Sequence, residues 1–371
     1  MSPAMHSFSN LFSVFEELDR GDTSIILESD GKSKCTDDSP DSQCLGVLTS
    51  GTTGQPKTIW HEWGSLKLDT QTSSRRHGWK WASCFLPGTY AGVQVALQAW
   101  MNQGQVYSLR NDWHFNWDLV KAESVNAISC TPTFLDLWIQ NEPVRSESEC
   151  SDARWQPEQI TLGGESLREN AGARFRHRFP KSRFSVIYAS TELGVIYKTS
   201  RTDGWYESGD LHPRYAEWRI DDCSGSGCLE LQLAESRQWL STGDLAEASE
   251  GLVRISGRRE DVANVGGIKV NLALVEQAAE QVDGILRVKA FSKPNPVTGE
   301  IVGLVYEPSS WKGIGSELAG SNQEDLENIM MGQLRLKLPK VAWPRVLLVG
   351  KIEVGENGKK TARELERNEL H

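Results

Sequence analysis

The chain has 371 residues, of which 38% are hydrophobic and 24% charged, and a formal net charge of −10. That length can fill two or three domains with sizeable cores, and the negative charge speaks against nucleic acid as the main partner. No apolar run is long enough to cross a bilayer, and the opening Met1-Ser2-Pro3-Ala4-Met5-His6 lacks the basic start and apolar core of a signal peptide. A cytoplasmic protein working away from membranes is the expectation. The seven cysteines, at 35, 44, 84, 130, 150, 223 and 228, are odd in number and scattered. They read as free thiols of a reducing compartment. Cys223 and Cys228 flank Ser-Gly-Ser-Gly with no second pair to complete a zinc site.

In chain order, Leu11, Phe12, Val14, Phe15 and Leu18 recur at helical spacing, which predicts a short amphipathic helix within residues 1–23. Thr23 to Leu27 reads as a strand, and the polar stretch 29–43 as an exposed linker. Leu45 to Leu48 is a strand feeding Thr49-Ser50-Gly51-Thr52-Thr53-Gly54-Gln55-Pro56-Lys57. Small hydroxylated residues, glycines and a closing lysine suit a loop that bends around an anion. A Walker A loop would need glycine where Pro56 stands, and proline has no N–H to donate. The loop reads as a phosphate binder of another kind.

Strands follow at Trp79 to Phe85, Val106 to Leu109, Ala127 to Cys130, Gln159 to Leu162 and Phe184 to Ile187. Between them lie helices from Val93 to Met101, through Phe134, Leu137 and Trp138, and in the Arg- and Ala-rich stretch after Glu165. Strands alternating with helices predict an α/β domain with its polar loops at one sheet edge, where such proteins bind ligands. From Trp205 to Ile255 short alternating strands predict a small antiparallel or barrel-like subdomain. The last hundred residues read as α+β, with helices at Leu272 to Val282 and Glu324 to Leu336 and strands near Arg287 to Phe291 and Ile301 to Tyr306. Most of the fourteen tryptophans are assigned to packing.

The Thr49–Lys57 string resembles the phosphate loop of the adenylate-forming superfamily of acyl-CoA synthetases, adenylation domains and luciferases. Five further segments resemble its motifs in the expected order: Gly163-Gly164-Glu165, Tyr188-Ala189-Ser190-Thr191-Glu192, Ser241-Thr242-Gly243-Asp244, Gly257-Arg258-Arg259-Glu260-Asp261, and Asn357-Gly358-Lys359-Lys360. The resemblance covers residues 45 to 371. It implies a large α/β domain over 1–258, shortened at its N-terminus and carrying the barrel-like subdomain, and a small mobile α+β domain over 259–371. It implies ATP, Mg²⁺ and CoA as cofactors. Thr49, Ser50, Gly51, Thr52, Thr53, Gly54 and Lys57 would hold the β- and γ-phosphates. Gly163, Gly164 and Glu165 would line the adenine side, with Tyr188, Ala189 and Ser190 also at the nucleotide. Thr191 would donate to the α-phosphate and Glu192 would ligate the metal, a hard cation that takes carboxylate oxygen. Asp244 would accept from the ribose hydroxyls, and Arg258 would reach ribose or phosphate. Glu260 falls at the hinge.

Counting forward from Gly358 picks Lys359 as the catalytic lysine, and counting back from Arg363 picks Lys360. By the same resemblance Tyr90, Gly92, Val93, Gln94, Thr133 and Ser190 are candidates for the acid pocket, and Gly266 and Gly267 would line the pantetheine tunnel. One departure stands out. The family usually carries well over a hundred residues before the phosphate loop, and this chain has fewer than fifty. A partner or a second copy covering the exposed face is one consequence. The expected reaction joins ATP and a carboxylic acid, an aryl acid being the closest analogy, into an acyl-adenylate, and then passes the acyl group to CoA. Transfer to a carrier protein or an amine, and a non-catalytic nucleotide- or acyl-binding homologue, are the alternatives.

Overall fold

The computed structural model describes residues 6–21, 24–28, 30–34, 43–49, 57–109, 112–143, 155–167, 170–221, 227–309, 320–354 and 360–361. The expected site residues Ser50, Gly51, Thr52, Thr53, Gly54 and Lys359, and the thiols Cys35, Cys150 and Cys223, lie outside them. The chain forms two compact units, Met1–His212 and Pro213–Gly355, the second also holding the short strand at Lys360–Thr361.

The first unit opens with helix α1, His6–Arg20. Its buried residues Phe8, Leu11, Val14, Phe15 and Leu18 repeat every three or four positions and form one apolar face. A small sheet follows, built from β1 (Ile25–Leu27), β2 (Ser33–Lys34), β3 (Cys44–Thr49) and β4 (Lys57–Glu62) in the order β2-β1-β3-β4. β2 falls inside the stretch read as linker. β3 and β4 are antiparallel and flank the glycine- and hydroxyl-rich segment. A side chain at Gly46 would meet Ile26 and Thr58 at 2.9 Å, and this close packing explains the glycine inside β3. The short helix α2, Trp63–Leu68, completes this part.

The main sheet alternates with helices: β5 (Lys80–Ser83), α3 (Tyr90–Met101), β6 (Gln105–Ser108), α4 (Trp113–Ala122), β7 (Ala127–Cys130), α5 (Pro132–Gln140), β8 (Gln159–Gly163), α6 (Ala171–Arg178), β9 (Arg183–Ser190) and β10 (Gly194–Thr199). Its order is β10-β9-β8-β7-β5-β6. The strands from β9 to β6 are parallel, and β10 returns antiparallel at the edge. All four residues of β7 are buried, as a strand covered on both faces requires. Helix starts are set locally. Thr89 accepts from the Gly92 N–H at 3.1 Å, Asp112 from Phe115 at 3.0 Å and Thr131 from Phe134 at 3.1 Å. Each such cap stabilises by about 1 kcal/mol. The Thr89 cap starts α3 three residues before the Val93 expected from sequence. β9 extends through Ser190, so Tyr188, Ala189 and Ser190 are strand residues, not loop. The two-residue strand β11 (Tyr206–Glu207) lies near the end of this unit.

In the second unit β12 (Tyr215–Asp221), β13 (Cys228–Leu233), β14 (Trp239–Ser249) and β15 (Leu252–Arg258) pair antiparallel in sequence order. Beyond them come β16 (Val262–Val265), β17 (Ile268–Asn271), α7 (Leu272–Glu280), β18 (Ile285–Asn295), β19 (Gly299–Pro308), α8 (Gly320–Lys337), β20 (Val346–Val349), β21 (Glu353–Val354) and β22 (Lys360–Thr361). The sheet β17-β16-β19-β18, with β20 parallel to β19, shares one core in which Val288 and Leu304 lie with Val275 and Ala279 of α7 and Met330 and Leu334 of α8. Asn271 ties the two sheets of this unit. Its side chain caps α7 by accepting from the Ala273 N–H at 3.0 Å and donates to the Ser256 carbonyl at 3.1 Å. Among the described residues no helix is long and apolar enough to cross a membrane.

Candidate active site

The parallel order of β5, β7, β8 and β9 brings their C-terminal ends to one sheet edge. Four of the expected segments meet there: Tyr90 after β5, Thr133 after β7, Gly163-Gly164-Glu165 at the end of β8, and Tyr188 to Glu192 at the end of β9. One hydrogen bond and one close approach join the segments after β5, β7 and β8. The Thr133 N–H donates to the Glu165 carboxylate at 3.3 Å, in the first turn of α5, where the helix dipole favours an anion. Gly164, at φ +79°, leaves space that a side chain would fill to within 3.3 Å of Phe85 and 3.5 Å of Thr131. Glu165 therefore has a capping role that the sequence did not suggest.

Beneath this edge lie two buried thiols, Cys84 just past the end of β5 and Cys130 at the end of the neighbouring β7. Burial, the largest cause, and the nearby Glu165 charge push the Cys84 thiol up to about 12, against the opposing backbone hydrogen bond from Thr131. Burial also drives Cys130 well above the usual thiol range, with Cys84 and Glu165 adding to it. Neither is a nucleophile at neutral pH.

At the end of β9 the chain turns directly into β10. Ser190 pairs with Gly194, and the Ser190 hydroxyl accepts from the Leu193 N–H at 3.1 Å. Thr191 sits half-buried in this turn, and Glu192 is exposed at its tip. Tyr188 stacks on Tyr197 at 6.5 Å, and Tyr197 packs on Tyr206 at 5.1 Å. This aromatic column stiffens the strand that presents the turn. Burial pushes both the Tyr197 and Tyr206 phenols up, with Asp210 adding to each.

The flanks of the phosphate-loop candidate are paired with each other. Thr49 and Lys57 face each other across β3 and β4, and the Thr49 hydroxyl donates to the Lys57 carbonyl at 3.3 Å. Lys57 is exposed. Of the acid-pocket candidates, Tyr90 is buried and its phenol donates to Asp69 at 3.3 Å and accepts from Gln94 Nε2 at 3.4 Å. Val93 is fully buried in the core. A side chain on Gly92 would lie 2.0 Å from the Leu86 carbonyl oxygen, so packing alone requires this glycine. Sequence reasoning missed Asp69, His212 and His61, which gather around Tyr90. Each stands alone in sequence without a motif, and only the fold brings them together.

In the second unit Ser241 to Asp244 form an irregularity in β14, where its register against β13 shifts. Gly243 takes φ +73°. Thr242 donates to the Leu229 carbonyl at 2.9 Å and accepts from the Asp244 N–H at 3.0 Å. Asp244 pairs in register with Arg258, and its buried carboxylate lies 2.9 Å from Arg258 Nε. The two residues expected at the ribose thus hold each other. Glu260 is exposed in the turn after β15. Gly266 and Gly267, at φ +62° and +83°, form the exposed turn between β16 and β17, where a residue with a side chain would be strained. Lys360 lies in β22 and pairs with Val354 of β21.

No group of three His, Cys, Asp or Glu among the described residues could hold a metal by itself. A single exposed carboxylate at a strand end nevertheless suits Mg²⁺, which keeps several waters and binds through one or two carboxylates plus phosphate. Glu192 has that character. Lys57, opposite a hydroxyl donor, has the character of a phosphate ligand.

Residues 10–229 match the family described as AMP-binding enzyme. Over 299 residues the chain is 25% identical to a 2-hydroxy-7-methoxy-5-methyl-1-naphthoate–CoA ligase of Streptomyces carzinostaticus, covering 69% of this chain and 51% of that one. The chain spans about half the length of the curated relatives it matches. Among solved structures, the anthranilate CoA ligase AuaEII in complex with anthranoyl-AMP superposes with a TM-score of 0.65 at 15% identity, over 90% of this chain and 68% of that one. The amide bond synthetase McbA from Marinactinospora thermotolerans does so at 0.65 and 17% identity, over 87% and 68%.

Proposed function

The chain belongs to the AMP-binding enzyme family, and from that premise we propose that it activates a small carboxylic acid with ATP and passes the acyl group to CoA. A carboxylate oxygen attacks the α-phosphorus and pyrophosphate leaves. The CoA sulfur then attacks the acyl carbon, AMP leaves, and the thiol proton goes to solvent. One observation carries this reading: four segments expected at the ligand meet at the C-terminal edge of one parallel sheet, where open α/β sheets bind ligands.

The residues take roles that follow from their chemistry. Two anions must be brought together, so fixed positive charge and donors are needed where charge develops. The 49–57 segment, with Lys57, receives the outer phosphates. Thr191 donates to the α-phosphate. Glu192 would hold Mg²⁺, which supplies charge neutralisation on the phosphates when bound. Asp244, oriented by Arg258, accepts from the ribose. Lys360 neutralises charge on the attacking pair. The moving part is the segment 259–371, turning at Glu260, and Gly266-Gly267 approaches the acceptor thiol. The substrate is an aryl acid, in keeping with the naphthoate and anthranilate named for two of the similar proteins. We place the reaction in the cytoplasm, in keeping with the buried free thiols Cys84, Cys130 and Cys228.

The test is pyrophosphate release by the purified chain with ATP and Mg²⁺ over a panel of aryl, short and long acids, each with and without CoA. Acid-dependent release with a CoA thioester in the same tubes is the expected result. Release without a thioester would move the acceptor to an amine or a carrier protein. Bound ATP with no release for any acid would sink the catalytic reading. In the same assay Lys360→Ala abolishes release while ATP still binds, and full activity in that variant would move the role to Lys359.

A further inference from the structure

Asp69 joins three segments that are far apart in sequence. It ends α2, with φ −74° and ψ −11°, and its side chain is only 11% exposed. Its two carboxylate oxygens have different partners. His212 Nε2 lies 2.8 Å from Oδ1, and the Tyr90 phenol donates to Oδ2 at 3.3 Å. A carboxylate only accepts, so the phenol proton is committed to Asp69. Tyr90 is the first residue of the capped helix α3 and is 7% exposed. The His61 ring of β4 packs on it at 5.0 Å. His212 is held in turn by its backbone N–H, which donates to the Ile196 carbonyl of β10 at 2.8 Å.

We propose that Asp69, steadied by His212, is a positioning residue that fixes the Tyr90 side chain and with it one wall of the acid pocket. The proposal rests on the reading that Tyr90 lines that pocket. Packing restrains a buried phenol ring, but the partner of its hydroxyl decides which way it tips. Moving the ring away would leave a buried carboxylate oxygen without its donor, which is costly. The wall therefore has one shape, set by residues from β4, α2, α3 and the segment after β11. No short sequence motif contains this device.

The test compares Asp69→Asn, Tyr90→Phe and their double variant for acid KM, kcat and ATP KM, with melting temperatures alongside. Each single change should raise acid KM about tenfold with kcat and ATP KM within about twofold. The double variant should be no worse than Tyr90→Phe alone, because residues acting through one contact are not additive. His212→Gln, which keeps a donor, should retain near-native acid KM, and His212→Phe should match Asp69→Asn. A double variant about a hundredfold worse, or an equal rise in ATP KM, would overturn the proposal. If the unaltered chain releases no pyrophosphate with any acid, the functional reading fails separately. The melting temperatures then decide the clamp: a double loss smaller than the sum of the single losses supports it, and a full sum overturns it.

Discussion

The parallel-sheet edge of the first unit and the β13–β15 ladder of the second hold two candidate carboxylates, Glu192 and Asp244, in opposite surroundings. Glu192 stands exposed at the tip of the β9–β10 turn. Asp244 is buried within a strand and bound to Arg258 across the ladder at 2.9 Å. The first is held by backbone geometry below it and leaves its charge to solvent or a ligand. The second is part of the fabric of its sheet. A carboxylate of the first kind can be changed without cost to the fold, whereas one of the second kind serves fold and site together.

The largest effect expected from this contrast lies just beneath the sheet edge. With its thiol pushed up to about 12 by burial, Cys84 should react with iodoacetamide at pH 8 about three orders of magnitude more slowly than in the unfolded chain. Peptide mass spectrometry reads this, and labelling within tenfold of the unfolded rate would mean the edge is open. Next comes Glu192→Gln, which should reduce acid-dependent pyrophosphate release about a hundredfold and leave unfolding free energy within about 0.5 kcal/mol. A large loss of stability there would erase the distinction between the two carboxylates.

Asp244→Asn should do the reverse and lower stability in urea by about 1 kcal/mol, since the buried side chain loses its charged bond to the half-exposed Arg258. An unchanged midpoint would show that the pair is incidental to the fold. The smallest effect serves as a control outside both regions. Asp19 is held below the usual carboxylate range by the Lys67 ammonium first and by the Trp63 N–H second. A depressed folded value means the contribution is present above about pH 4 and fades as pH falls through the folded value. Asp19→Asn should therefore cost less than about 1 kcal/mol at pH 7, because the pair is half-exposed. Once the pH is low enough to protonate Asp19 in the folded chain the cost should vanish, and a cost persisting there would assign the effect to packing.

Much of this was legible in the sequence. The apolar repeat Leu11, Val14, Phe15 and Leu18 forms the buried face of α1. The strand–helix alternation from Lys80 to Ser190 appears as the parallel sheet, and the strands after Tyr215 as an antiparallel one. Periodicity and caps are local, so a linear reading finds them. The return strand β4 was missed because Lys57-Thr58-Ile59-Trp60-His61-Glu62 is partly exposed and has no clean alternation; pairing with β3 makes it a strand. The strand expected to end at Ile187 continues through Ser190, because pairing with β10 extends β9 over Tyr188, Ala189 and Ser190.

Which chemistries are present can be read from the chain alone, because hydroxyls, glycines, Lys57, Glu192 and Asp244 stand in ordered short motifs whose residue types are readable one by one. Which of these groups are committed to other residues follows from the fold. Asp244 belongs to Arg258, Glu165 to the start of α5, and Tyr90 to Asp69, which His212 holds in turn. The reason is physical. A side chain's identity is fixed by the chain, whereas its partners are set by strand register and packing between segments tens to more than a hundred residues apart.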